Sequence, residues 1–303
     1  MMPEISEKNP YTEKPITCKI CAYGPSAPRK KDMGQAIGNT RRFMHQTFTL
    51  WKCPKCLSIH AVDPVDPADI YSDYPLNKRV LDVYAKGTYT NLLRRLSKRG
   101  LTKTDHILDY GCGGNGIFIQ FLQKEGYPHV TGYDPFVSAY AQMPDKDQKF
   151  DWVIANDVIE HCDNPVEMMQ HALGFVKENG HFYAGTADSQ DVNMDDLEPH
   201  ITRLHLPFHR VIINQAMLLH LGLKFGLEPV DIYLRSYMDT LRPFSNYRFL
   251  DEFNKALGHD LDKAIDPASA SIVIKKPKLL YYAFFGYFFP SAHEPAVLWH
   301  YSG

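Results

Sequence analysis

The stretch Ile107-Leu-Asp-Tyr-Gly-Cys-Gly-Gly-Asn-Gly-Ile-Phe-Ile119 reads as an apolar strand, a glycine-rich turn and then the buried face of a helix. That succession is the nucleotide-binding half of an open α/β sheet. The spacing Gly111-x-Gly113-x-x-Gly116 fits the dinucleotide fingerprint, and Asp134 stands where an acid at the end of the next strand would meet a ribose. Taken alone, the pattern is ambiguous between cofactors.

Asp109 breaks the tie. A carboxylate at the strand end, two residues before the first glycine, would face a pyrophosphate with the wrong sign of charge. S-adenosylmethionine carries no phosphate. Its sulfonium and ammonium suit an acid-lined turn whose glycines let the backbone approach the ligand. The turn Leu108-Asp-Tyr-Gly-Cys-Gly113, Asp134 and the segment Asn156-Asp-Val-Ile-Glu-His161 together resemble the class I S-adenosylmethionine-dependent methyltransferases, over about residues 76 to 276. Asn115 departs from that pattern, standing where many members have the third glycine. Asparagine tolerates the left-handed conformation, and Gly116 follows. The resemblance implies a Rossmann-like α/β sheet, mostly parallel with an antiparallel last strand. It also implies cofactor contacts from Asp109, Gly111, Cys112, Gly113, Asp134, Asn156 and Asp157.

Composition sets the frame. The chain has 303 residues, 44% of them apolar, and a formal charge of −2, which fits about two globular domains. That balance argues against a polyanion-binding surface over the whole protein, although basic runs occur at Arg29-Lys30-Lys31, Arg41-Arg42, Arg94-Arg95 and Lys98-Arg99. The N-terminus lacks the basic and apolar regions of a signal peptide, so the cytoplasm is the expected location. The longest apolar run, Leu279 to Phe289, is too short to cross a bilayer, which needs about 20 residues. Any membrane association would be peripheral.

Residues 1 to 17 read as a loose tail. Cys18-Lys-Ile-Cys21 and Cys53-Pro-Lys-Cys56 then have the shape of a zinc ribbon, in which four thiolates close a structural site with no open position for water. Two disulfides are the alternative to zinc, disfavoured in a reducing compartment, and His60 could replace one cysteine as ligand, although a loop histidine with no role is the favoured reading. Residues Arg42 to Leu50 alternate weakly and end in Trp51, as ribbon strands would. The proline-punctuated Val62 to Pro67 marks a boundary, giving an N-terminal zinc-ribbon-like domain at 1–66 and a methyltransferase domain at 67–276. Helical spacing runs from Leu76 to Leu96, a helix that would cover the cofactor, with Tyr71 and Tyr74 just before it.

The helix after the glycine turn should stop at Gly126, a strand should span Val130 to Tyr133, and Pro135 should open a helix. Only fifteen residues separate Asp134 from Phe150, which leaves little room for a helix and a third strand. Met143 or Asp145 are the candidates there for an adenine contact. Strands are expected at Phe150 to Ala155, His181 to Thr186, Glu228 to Leu234 and Ser271 to Ile274, with a helix from Asn164-Pro165 to Gly180. An insertion near 235–268 and an aromatic extension at 277–303 are then segments the fold does not require. The extension would suit a lid, a homodimer contact, a carrier-protein surface or ordinary core packing.

Within Arg203-Leu-His-Leu-Pro-Phe-His-Arg210, His209 matches the family position that precedes the penultimate helix, which Asn214 would cap. A histidine there could accept a proton as the methyl group transfers. His205 and His161 are the further catalytic candidates. The leading expectation is a methyltransferase acting on a small molecule of secondary-metabolite or sugar type. The alternatives are an RNA base methyltransferase with a zinc-ribbon RNA-binding domain and a catalytically silent scaffold. Charge balance disfavours nucleic acid, which needs a continuous basic surface with stacking aromatics, and intact Asp109, Asp134 and Asp157 disfavour the scaffold.

Overall fold

The computed structural model describes residues 15–25, 27–290 and 294–303. Residues 1–14 of the expected tail lie outside them. The strands are β1 (Met33–Ile37), β2 (Thr47–Lys52), β3 (Ile59–Ala61), β4 (Ile107–Tyr110), β5 (Val130–Tyr133), β6 (Phe150–Asn156), β7 (Val176–Gly185), β8 (Val211–Ile212), β9 (Glu228–Tyr233) and β10 (Ala296–Tyr301). The helices are α1 (Pro67–Tyr71), α2 (Val83–Ser97), α3 (Ile117–Lys124), α4 (Pro165–Leu173), α5 (Ile201–Leu204), α6 (Gln215–Lys224), α7 (Tyr247–Ala256), α8 (Leu261–Ala264), α9 (Ser271–Lys275) and α10 (Pro277–Phe285).

A six-stranded sheet in the order β5-β4-β6-β7-β10-β9 forms the catalytic body. Its β5, β4, β6 and β7 run parallel, and β10 runs antiparallel to both neighbours. The central strand β4 is buried along its whole length and β6 over Trp152 to Ala155, as strands of a sheet covered on both faces are. The sheet ends at β5. As the short Asp134-to-Phe150 spacing implies, no third strand follows; those residues form turns, and the Asp134 N–H bonds the Tyr140 carbonyl at 3.0 Å. Pro135 therefore starts a turn where a helix was expected.

The last strand is the main correction. Ser271 to Ile274 is helical, within α9, and β10 supplies the strand that was expected there. A run of four apolar residues fits helix or strand equally, so flanking context decides it. Part of the extension is thus required: β10 lies between β7 and β9, with Val297, Leu298 and Trp299 fully buried. Two boundaries also move. The helix from Asn164 ends at Leu173, and Gly180 lies inside β7. The helix over Leu76 to Leu96 starts only at Val83, after a 3-10 turn at Pro75–Lys78.

Trp299 stacks on Phe182 with centroids 5.6 Å apart, and its indole lies where a Cβ on Gly222 of α6 would stand, 2.3 Å from Nε1. Gly222 therefore buys close approach of α6 to the sheet at a helix-interior cost of about 0.5–1 kcal/mol. Trp299→Ala should lower unfolding stability by about 3–5 kcal/mol; a loss below about 1 kcal/mol in urea melts would contradict this packing.

The N-terminal lobe shares a sheet with the C-terminal half. Its antiparallel sheet β1-β2-β3 is completed by β8 from the C-terminal half, with Ile59 opposite Ile212. Trp51, Cys53 and Cys56 share a core with Leu218, Leu221 and Trp299. The Asn214 side chain caps α6 through Met217 N and donates Nδ2 to the Cys56 carbonyl at 2.9 Å. Residues 62–67 mark a turn into α1, which Asp66 caps, and the two halves remain packed across it.

Candidate active site

At the carboxyl end of β4 the turn residues Gly111 and Gly113 adopt positive φ (78° and 69°), which side-chain-bearing residues avoid. A Cβ on Gly111 would lie 2.5 Å from Val158, so glycine allows the turn to meet the loop after β6. The left-handed helix entry is taken by Gly116 (φ 52°), while Asn115 donates Nδ2 to the Arg79 carbonyl at 2.6 Å. Gly114 N–H donates to Asn77 Oδ1 at 3.1 Å. These bonds fasten the segment before α2 across the turn, the cover expected of that region.

Here a cavity of about 300 Å³ opens. Asp109, Gly111, Cys112, Gly113, Asp134, Asn156, Asp157 and His161 all line it, together with Tyr71, Tyr74, Tyr89, Phe136 and Tyr237. Asp109 is 6% exposed, and its Oδ2 is buried with no hydrogen-bond partner among the described residues. Burial, and then the charge of Asp134, push its pKa from 3.8 up to about 7. Asp134 accepts the N–H of Gly113 at Oδ2 (3.1 Å) and of Phe136 at Oδ1 (2.9 Å), which locks the turn to the end of β5. Burial raises its pKa too, against those two N–H groups. Asp157, at φ 57°, accepts from Asn156 Nδ2 (2.8 Å) and Tyr237 Oη (3.4 Å). Burial, then Glu160, raise it to about 8. Glu160 itself accepts from Thr186 Oγ1 and Ala187 N, which ties the loop to the end of β7.

The three candidate histidines cluster. His161 lies 4.7 Å from His209 and 6.1 Å from His205, centroid to centroid. Among them only His161 lines the cavity. Its Nδ1 stands 2.8 Å from Tyr71 Oη. His205 Nδ1 faces the acceptor Asn39 Oδ1 at 2.8 Å, so it carries the proton, and Nε2 accepts from Tyr74 Oη at 2.9 Å. His209 Nδ1 donates to the Arg203 carbonyl at 2.8 Å. Burial drives all three pKa values down, His161 and His205 to about 4 and about 3, so the rings are neutral at pH 7.

A profile of the methyltransferase domain family matches residues 81–232, half of the chain and the whole of the β4-to-β9 frame. The chain belongs to that family. It is therefore an S-adenosylmethionine-dependent methyltransferase, and the unpartnered Asp109 Oδ2 at the glycine turn fits a cofactor that brings cationic groups. No curated protein matches this methyltransferase. Among solved structures it is similar to coclaurine N-methyltransferase bound to N-methylheliamine and SAH (15% identity, 70% of this chain and 72% of that chain, TM-score 0.41). It is also similar to the plantazolicin methyltransferase BpumL in complex with SAH (12%, 78% and 91%, 0.41). A third is a SAM-dependent methyltransferase from Archaeoglobus fulgidus (14%, 70% and 92%, 0.41).

Sequence reasoning missed Tyr237, Tyr89 and Asn77 in this methyltransferase. Tyr237 sits in the stretch taken as dispensable, stacks on Tyr89 at 6.0 Å and reaches Asp157. Nothing local marks it, because only the return of the chain after β9 brings it to the cavity. Met143 and Asp145 do not line the cavity; Phe136, stacked on Tyr71 at 4.7 Å, is on its wall instead.

Outside the cavity the sulfurs of Cys18, Cys21, Cys53 and Cys56 lie within 4.8 Å of one another, with Cys18 and Cys56 3.5 Å apart and Cys21 and Cys53 3.7 Å apart. Tetrahedral thiolates at Zn–S of about 2.3 Å stand about 3.8 Å apart, so the donor set fits that ion. The two Cys-x-x-Cys turns repeat one geometry. Cys18 N bonds Tyr23 O and Cys53 N bonds Ser58 O, each at 2.8 Å, with Ala22 and Leu57 at positive φ. His60 packs on Trp51 and is outside the cluster. No helix among the described residues is long and apolar enough to cross a membrane.

Proposed function

We propose that this methyltransferase methylates a small molecule in the Asp109–Asp157 cavity, and that the Tyr71–His161 pair receives the acceptor's proton. The observation that carries this is a cavity of about 300 Å³ whose wall holds both the glycine turn and a neutral histidine bonded to a tyrosine. Its volume stands at the lower end of small-molecule sites, which favours a small acceptor over a macromolecular one. S-adenosylmethionine supplies a sulfonium methyl group open to in-line displacement. The chain's task is then placement and proton removal. In this reading Asp134 accepts the ribose hydroxyls, and Asp109 and Asp157 face the cationic amino-acid end. Tyr71, whose burial keeps its phenol protonated at neutral pH, can accept the hydrogen bond of an acceptor hydroxyl or ammonium while passing its own proton to His161 Nδ1. His205 and His209 then hold the pair from behind. Four cysteine thiolates would hold a structural zinc ion, and such a site needs reduced thiols, which accords with a reducing, cytoplasmic setting.

Screening small-molecule pools with labelled cofactor tests the substrate class; label that enters only RNA would overturn it. Once an acceptor is in hand, His161→Ala and Tyr71→Phe should each lower kcat by about 10² to 10⁴, with a smaller effect for His209→Ala. With the His161 pKa near 4, the base is already neutral above pH 5, so kcat at saturating cofactor, where binding holds Asp109 ionised, should show no inflection near 6.5. A loss on His209→Ala as large as on His161→Ala, or an inflection near 6.5, would move the role to another histidine.

A further inference from the structure

On the opposite side of α2 from the cofactor cavity lies a second groove, of about 690 Å³. Helical spacing explains the division: Tyr89 and Leu92 face the cavity, whereas Gly87, Asn91, Arg94, Arg95 and Lys98 face the groove. Arg94, Arg95, Lys98 and Arg99 form one wall, and Arg235 and Arg242 come from the segment after β9 to form the other. Two of these cations are neutralised inside the groove, Arg99 by Asp231 at 2.9 Å and Arg235 by Asp239 at 2.6 Å. Arg94, Arg95, Lys98 and Arg242 have no carboxylate partner among the described residues.

Two features show that the walls are built. Arg94 and Arg95 stand in the last turn of α2 and Lys98 and Arg99 follow directly, so four like charges gather at one helix end beside a concavity. Gly87 stands in the interior of α2, where glycine is disfavoured. A Cβ there would come within 3.2 Å of Arg242 Cδ and 3.4 Å of its Nη1, so the glycine lets Arg242 lie across the helix towards the other cations. The aromatic rings of the groove are already covered. Arg95 sits 4.7 Å above Tyr233, and Arg235 4.6 Å above Tyr287. A guanidinium thus occupies one face of each ring, which disfavours base stacking by a single-stranded nucleic acid. Guanidinium groups on facing walls suit phosphate oxygens.

We infer that this groove binds the phosphate groups of a small anionic ligand, separately from the methyl-transfer cavity. Phosphate of this kind comes from a soluble oligophosphate compound or from a lipid headgroup; exposed Leu241 lines the groove, and exposed Phe288 follows Tyr287 of its wall in sequence. The test uses the full chain. Titration calorimetry with inorganic pyrophosphate and tripolyphosphate reads the soluble source, and co-sedimentation with phosphatidic acid vesicles, against phosphatidylcholine, reads the lipid source. Saturable binding in either arm is expected, weakened at least tenfold by Arg94→Glu with Lys98→Glu. That double variant changes only exposed positions at the end of α2 and leaves Arg242 in place; its melting temperature and cofactor affinity report that it is folded. Arg242→Glu should weaken binding to a similar degree. Absence of binding in both arms, binding untouched by the double variant, or length-dependent binding of single-stranded RNA alone would each overturn the inference.

Discussion

Asp109→Asn should make the protein more stable at pH 8 and a poorer binder of its cofactor. The folded-state pKa of Asp109 is about 7, against an ordinary 3.8. Below pH 3.8 the carboxyl is protonated folded and unfolded, and the burial costs nothing extra. Between 3.8 and 7 the unfolded chain releases the proton while the folded chain holds it, so stability falls as pH rises. Above 7 the full penalty stands, up to roughly 4 kcal/mol for a three-unit difference. Asparagine removes it, so the variant should melt higher at pH 8 and the gap should close towards pH 4. Asp157, Glu160 and the buried histidines also titrate in this range, but they do so in both proteins, and the difference isolates position 109.

The same carboxylate is what a sulfonium-ammonium ligand needs. Loss of one charge-assisted contact, worth roughly 1.5–3 kcal/mol, should weaken S-adenosylmethionine binding about ten- to a hundredfold. In the unmodified protein, affinity should rise as pH increases through 7, with a proton released on binding below that value. Calorimetry in two buffers of different ionisation enthalpy reads this directly. A variant that melts no higher at pH 8, or that binds the cofactor as tightly, would falsify the role of Asp109.

Removal of the metal expected at the four cysteines should unfold more than the N-terminal lobe. Structural zinc supplies apparent folding free energies of about 10–16 kcal/mol in small zinc domains, more than most domains have in reserve. Here Cys56 is tied to α6 through Asn214, and β3 pairs with β8. Loss of the knuckles therefore exposes Trp51 and the α6 side of the Trp299 core. Chelation, or Cys18→Ser with Cys53→Ser, should broaden the melt and lower cofactor binding even though no cysteine of the cluster lines that cavity. Freshly purified, reduced protein should carry about one zinc per chain. Metal analysis that finds none, or a double variant that melts and binds cofactor normally, would rule this out.

What the chain states locally was legible without coordinates. The strand, glycine turn and helix at 107–124 depend on side-chain periodicity and on φ values that glycine alone takes easily, both properties of neighbouring residues. Each Cys-x-x-Cys turn is likewise self-contained, and the fifteen residues after Asp134 were too few for a further strand and helix whatever surrounded them. Tertiary structure decided the rest because it depends on partners far along the chain. Ser271 to Ile274 and Ala296 to Tyr301 are both short apolar runs, and only register against β7 and β9 makes the second a strand. Asn115 and Gly116 both tolerate a left-handed turn; the Arg79 carbonyl holds the side chain of the first, and the second takes the positive φ. His161, His205 and His209 share one side-chain chemistry. Which of them reaches the cavity is set by burial and by Tyr71, Tyr74 and Asn39, contacts made across 90 to 166 residues of sequence.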